Sequence, residues 1–421
     1  MKLKTRALIS LSLAILLTGC AAVEPPTAAG IDGERLGRID TAIERELAAG
    51  KMPGAVALVM RNGEIVYHKS FGYADIASET PMRTDNIFRI ASMTKAITSV
   101  AVVMLYEQGH FQLNDPVTNY LPEFMGMSVV TSVDEAGNVT ATSPATRLIR
   151  VIDLLTHSAG ISYPFIPGKL RKSYIDAGII DGVTAKDLQL ESQMQLLATQ
   201  PLLFEPGTAF AYGLSTDVLG YLVEVVSGKS LAQFFAEEIF SPLGMSDSYF
   251  YLPEEKADRL ATLYASVDGV GLVVAKGDES ELILDDPRYP IRGARSYYSG
   301  GAGLSSTAYD YGRFLQMLLN DGELDGVRLL GRKSVELMRT ARIDWDGDKD
   351  ADFGLGFAVI TDIGERGELW SPGAYTWGGA FDTSYWIDPE EKLLGVFMSQ
   401  ARPARSKISE QFSTLVYQAL E

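Results

Sequence analysis

Histidine and cysteine are scarce in this 421-residue chain, which has three of the first and one of the second. A lone cysteine, Cys20, cannot close an intrachain disulfide. His68, His110 and His157 form no H-E-x-x-H helix and no paired His/Cys spacing, so no metal site is expected, and no other cofactor. The G-x-S-x-G turn that presents a nucleophile in many hydrolases is missing. So is the G-x-x-x-x-G-K-[ST] loop that cradles phosphates. Basic excess is also lacking: the net charge of −17 argues against a nucleic-acid partner. Heptad runs, low-complexity tracts and internal repeats are absent.

What is present is a hydrophobic content of 46%, enough for a sizeable core and two packed lobes. At the start, MKLKTR is a basic segment and ALISLSLAILL an apolar one too short to span a bilayer comfortably. The stretch ends in LTGC, Leu17 to Cys20, which resembles a bacterial lipobox. That resemblance implies a lipoprotein signal peptide over residues 1–20 and a lipidated Cys20 at the mature N-terminus. It also implies a protein exported to the bacterial cell envelope and held at a periplasmic or outer-membrane face by its lipid. An ordinary secretory signal with an incidental cysteine is the alternative. Residues 21–33 then read as a flexible tether.

Leu36, Ile39, Ile43 and Leu47 predict a helix from about Arg35 to Ala49. PGAVALVM and EIVYHKSFGYA are strand-like runs joined by Arg61-Asn62-Gly63, a hairpin signal. From Ser92, Met93, Ala96, Ile97, Val100, Ala101, Met104 and Leu105 follow helical spacing and predict an amphipathic helix ended by Gly109. Helices and loops dominate to about Ile291. A glycine-rich turn and a helix follow in SGGAGLSSTAYDYGRFLQMLLN, then the strand-like runs GLGFAVI, AYTWGGAFDTSYWID and KLLGVFMSQ, and a last helix from about Ser406 to Leu420. Strands at both ends point to one sheet built from both termini. The expected domains are an α/β unit of residues 34–112 and 292–421 and an inserted, mainly helical unit of residues 113–291. DWDGDKDAD, Asp344 to Asp352, fails the calcium-loop template, with Lys349 at the glycine and Leu355 at the terminal glutamate. A solvated acidic loop is expected there.

Of all the lysines, only Lys95 has a serine three residues before it, Ser92. On a helix such a pair lies within one turn, about 5–6 Å between Cβ atoms. The lysine can therefore curl back and take the hydroxyl proton during attack on a carbonyl. A helix N-terminus also favours negative charge developing on that oxygen. The lysine serves as a base only where burial or a neighbour displaces its proton. On the ten residues RIASMTKAIT alone, a serine cap and a solvated lysine are the better reading. His157, in LLTHSAGIS, fits a packed residue better than a Ser-His-Asp partner.

Together, S-M-T-K, LLTHSAGIS, EPGTAFAYGLSTDVLG, SGGAGLSSTAYDYGRFLQMLL and YTWGGAFDTSYWIDP resemble the β-lactamase-like serine hydrolases, in one order over roughly residues 35 to 420. The nearest resemblance is to family VIII carboxylesterases and related acyltransferases. It implies an α/β fold, an antiparallel sheet sandwiched by N- and C-terminal helices with an inserted all-helical domain, β-lactamase/transpeptidase-like. It also implies that Ser92 is the acylated nucleophile, Lys95 its helix partner, and Tyr212 the tyrosine that shares proton transfer. Trp377, Gly378 and Gly379 would flank the substrate, with backbone N–H groups of Ser92 and Ala380 as oxyanion donors. A tyrosinate and a neutral lysine both fit as the working base.

The departures concern the substrate. Leu214 stands where β-lactamases and peptidases have the asparagine of Y-x-N, and Trp377 where they have a lysine or histidine. Both polar handles for an anionic, peptide-like ligand are thus apolar here, which favours an uncharged small-molecule ester. A carboxylesterase is expected. The alternatives are a β-lactamase or D-amino-acid peptidase, an acyltransferase, and a non-enzymatic, lipid-anchored envelope binding protein.

Overall fold

Every residue of the GAVALVM run is buried, without the alternation that a half-covered strand would show. In the computed structural model, which describes residues 30–276 and 286–421 except 346 and 349, this run is strand β1 (Gly54–Arg61). Val56, Leu58 and Met60 face one hydrophobic cluster. Ala55, Ala57 and Val59 face another. Cys20, the leader and residues 21–29 of the tether lie outside the described residues.

Asn62 and Gly63, with φ of 54° and 84°, turn the chain into β2 (Glu64–Asp75). Beyond it lies β3 (Thr80–Pro81). The remaining strands come from the other end of the chain: β4 (Ile343–Asp344), β5 (Ala351–Phe353), β6 (Ala358–Ile360), β7 (Tyr375–Gly379), β8 (Thr383–Asp388) and β9 (Leu393–Met398). They form a nine-stranded sheet in the order β4-β5-β6-β7-β8-β9-β1-β2-β3. Every adjacent pair is antiparallel. The join between the two ends is β1 against β9, with Val56 opposite Met398.

The first long helix, α1 (Arg38–Ala48), and the C-terminal helix share one face of the sheet with Ile39, Ile43, Phe412 and Val416 buried there. The ring of Trp386 on β8 meets Phe412 edge-on at 5.1 Å. That ring lies across Gly395, its cross-strand partner, where any Cβ would fall inside the indole. Gly395→Ala is therefore expected to cost about 1–3 kcal/mol through overpacking, read as a lower urea midpoint at unchanged slope.

The other face carries α2 (Thr94–Glu107) and, further along the chain, α3 (Ser215–Ser227) and α4 (Ala308–Leu319). The C-terminal helix is α5 (Ile408–Tyr417). Expected to be amphipathic, α2 is instead buried at every position from Thr94 to Leu105. The sheet side and α3 both cover it, and its polar Thr98 is satisfied internally by donating to Gly300 O at 2.7 Å. Residues 113–291 supply short helices and α3, and also a hairpin of Ser128–Val133 and Val139–Pro144.

Candidate active site

Ser92 sits in a single 3-10 turn, Ala91–Met93, that runs directly into α2. Ala91 has φ +41°, a left-handed conformation that costs a non-glycine residue roughly 1–3 kcal/mol and persists only when its surroundings enforce it. Three bonds from elsewhere in the chain do so. Ile90 N donates to Leu304 O at 3.0 Å, Leu304 N to Thr94 Oγ1 at 3.1 Å, and Tyr311 Oη on α4 to Met93 O at 2.8 Å.

Neither bland alternative for the S-x-x-K pair survives. α2 has no side-chain N-cap bond, so the serine is not a cap. Lys95 is 0% exposed, so it is not a surface charge. Its Nζ donates to Gly301 O at 2.7 Å, to Tyr163 Oη at 2.9 Å and to Ser92 Oγ at 3.3 Å. None of the three acceptors is a carboxylate. The ammonium is thus oriented at the serine without an ion pair of its own.

Tyr212 is held by the neighbouring motif. Ala211 N donates to His157 O at 2.8 Å and Leu214 N to Ser162 O at 3.4 Å. Gly213 lies so close to the backbone of Ile161 and Ser162 that no side chain fits. LLTHSAGIS is therefore the bed on which FAYGLS lies. Lys95 Nζ is 4.6 Å from the centre of the Tyr212 ring, and the Tyr212 hydroxyl is met by Trp377 Nε1 at 3.4 Å. His157 is buried, its ring tilted against Tyr212 with centres 5.0 Å apart, and burial and the nearby Lys95 hold its imidazole well below the usual range. It packs as a neutral aromatic.

A cavity of about 520 Å³ opens onto Ser92, within the usual range of small-ligand pockets. Tyr212, Trp377, Gly378 and Ala380 line it, as does Phe165. Gly379 is not on this wall; it is pressed against the carbonyl of Ile90, closing β7 onto the turn that carries Ser92. Leu214 is fully buried and does not reach the cavity. Two cations stand on its wall, Arg366 and Arg402. Arg366 is engaged by Asp350 at 3.0 Å and Glu368 at 3.1 Å.

Two contributors were not expected from sequence. Tyr163, immediately after LLTHSAGIS, is the hydroxyl that receives Lys95 and is wholly buried, its phenol pushed well above the usual range by burial. Trp345, in the acidic loop, is turned inward between β4 and β5 and lines the cavity, edge-on to Trp377 at 5.4 Å. A tryptophan flanked by aspartates was the available signal for it.

Comparison with known proteins supplies context. The Beta-lactamase family model matches residues 39–414. Protein Rv1367c of Mycobacterium tuberculosis is 35% identical over 370 residues, 84% of this chain and 87% of the relative. Esterase EstB of Burkholderia gladioli is 33% identical over 384 residues, 87% of this chain and 91% of the relative. Among solved structures, EstCE1, described as a hydrolase with promiscuous acyltransferase activity, superposes with a TM-score of 0.78 at 28% identity, covering 91% of this chain and 99% of its own.

Proposed function

Because the chain belongs to the Beta-lactamase family, whose fold carries serine hydrolases and acyltransferases, we propose that it is a carboxylesterase acting through an acyl-enzyme on Ser92. The observation that carries this reading is a fully buried Lys95 aimed at the Ser92 hydroxyl, 3.3 Å away, on the floor of an aromatic cavity. Ser92 Oγ attacks the ester carbonyl while its proton passes to the Lys95–Tyr212 pair. The backbone N–H groups of Ser92 and Ala380 receive the oxyanion. Collapse returns the proton to the departing alcohol, and water releases the acid by the same steps in reverse.

The walls argue for an uncharged substrate of small or medium acyl chain. Phe165, Tyr212, Trp345 and Trp377 offer aromatic surface, and of the two arginines on the wall Arg366 is already paired with Asp350 and Glu368. The test is a set of p-nitrophenyl esters of graded acyl length run beside nitrocefin. The esters should lead in kcat/KM by at least about 10²-fold, the scale on which a site rejects a ligand whose polar groups it leaves unpaired. Comparable turnover of the cephalosporin would overturn the substrate assignment. EstCE1's description favours a second reading, transfer of the acyl group to an alcohol from the same intermediate. Adding an alcohol acceptor and looking for transesterified product separates it from hydrolysis.

Trp345 sets a further expectation. Its removal in Trp345→Ala deepens the apolar cavity, so the octanoate-to-butyrate ratio of kcat/KM should rise roughly tenfold, at about 1–3 kcal/mol for a methylene gained in an apolar pocket. An unchanged ratio would show that the acyl chain lies elsewhere.

A further inference from the structure

The Ser299-Gly300-Gly301 turn is clamped between α2 and α3. Thr98 Oγ1 of α2 donates to Gly300 O at 2.7 Å. On the α3 side a Cβ at Gly300 would stand 2.6 Å from Thr216 O, so only glycine permits the approach. The turn's side-chain anchor is Asp217 of α3, which is 0% exposed. Asp217 Oδ1 accepts a hydrogen bond from the Ser299 hydroxyl and, at 3.4 Å, from Gly301 N–H. Asp217 Oδ2 lies against Gly301 and has no hydrogen-bond partner among the described residues. The carbonyl of the same residue faces the site: Gly301 O is the 2.7 Å acceptor of Lys95.

A carboxylate removed from water costs several kcal/mol unless charge or hydrogen bonds compensate. Four titratable groups face this one: Lys95 from α2, Tyr163, Tyr297 and, through both tyrosines, Asp181. Lys95 is the cation among them. Burial pushes the Asp217 carboxyl up, and Ser299 and Lys95 draw it back. The link between Asp217 and Lys95 runs through the backbone of Gly301, whose N–H points to the carboxylate and whose carbonyl receives the lysine.

We propose that Asp217 is a positioning residue for Lys95: it fixes the Ser299–Gly301 turn so that the Gly301 carbonyl receives the ammonium, and its charge balances that ammonium without bonding to it. The proposal rests on the reading of Lys95 as part of the proton-transfer pair of Ser92.

The test compares Asp217→Asn and Ser299→Ala with the parent protein in kcat, KM, melting temperature and the pH–rate profile for p-nitrophenyl butyrate. Asp217→Asn should lower kcat by about 10–100-fold with little change in KM, the scale of a misplaced reacting group. With the carboxylate's charge removed, the proton-transfer pair of Ser92 loses a nearby negative group, so the acid limb of the profile should move to lower pH. Ser299→Ala, which removes a hydrogen bond that favours the charged carboxylate, should move the limb the same way by a smaller step. It decides the matter if Asp217→Asn does not fold. Parent-like kcat and limb would overturn the proposal, as would lost activity and stability with the limb unmoved. Should the parent protein prove inactive on esters, the pH dependence of fluorophosphonate labelling at Ser92 reads the same limb. The esterase reading then fails separately.

Discussion

Replacing Ser92 with alanine is expected to bring p-nitrophenyl butyrate hydrolysis to the buffer background, a loss on the order of 10⁶-fold, the scale seen when a hydrolase loses a nucleophile that works as a unit with its base. The size follows from how few substitutes the site offers. Ser384 also lines the cavity, but among the described residues the side-chain hydroxyls that Lys95 reaches are those of Ser92 and Tyr163, and Tyr163 is buried away from the cavity. His157 is sealed among Phe210, Tyr212 and Phe353 and cannot take over as base. The change removes one hydroxyl, so melting should shift little. Retained turnover in folded Ser92→Ala protein would remove Ser92 from its role. A fluorophosphonate should label the parent and not the variant. An unlabelled, inactive parent would favour a binding protein that kept the fold.

Much of this geometry was legible because chemistry and periodicity agree in the same residues. The hairpin at Asn62-Gly63 needs two left-handed residues, and Asn-Gly supplies them most readily. The continuous apolar run of β1 reflects covering on both faces, one by α1 and α5 and the other by α2 and α4. The order of the motifs followed the sheet, since both ends of the chain contribute strands to it.

What escaped depends on contacts that no spacing encodes. Tyr163 stands on an irregular segment, and its role comes from a lysine 68 residues away. Trp345 is one apolar residue among aspartates, and counting charge placed the whole stretch in solvent. Its indole instead finds Trp377 and Phe210 and turns inward. The apolar spacing of α2 predicts an amphipathic helix, yet its polar residues are buried as well. Thr98 is buried against Gly300 O, and Ser99 fills the space that Gly356 leaves open.

Tyr212→Phe should lower kcat on esters by at least about 10²-fold, the lower range for losing a general acid–base group. The two tyrosines beside Lys95 make this a sharp experiment, because they differ in what they touch. The Tyr163 hydroxyl accepts the lysine at 2.9 Å, but the residue is 2% exposed and off the cavity wall. Tyr212 lines the cavity with Ser92, and its ring lies 4.6 Å from the lysine nitrogen. A proton bound for the alcohol must leave from a group that the alcohol can approach, which selects Tyr212. Tyr163→Phe instead strips a buried ammonium of one acceptor, at a cost of about 1–3 kcal/mol that should lower the melting temperature. The expected pattern is therefore a kcat loss at unchanged melting for Tyr212→Phe, and a melting loss with a smaller kcat effect for Tyr163→Phe. If the two are reversed, the proton route runs through the buried hydroxyl. Tyr212 would then act only as an aromatic wall, held to Trp377 by the 3.4 Å indole bond.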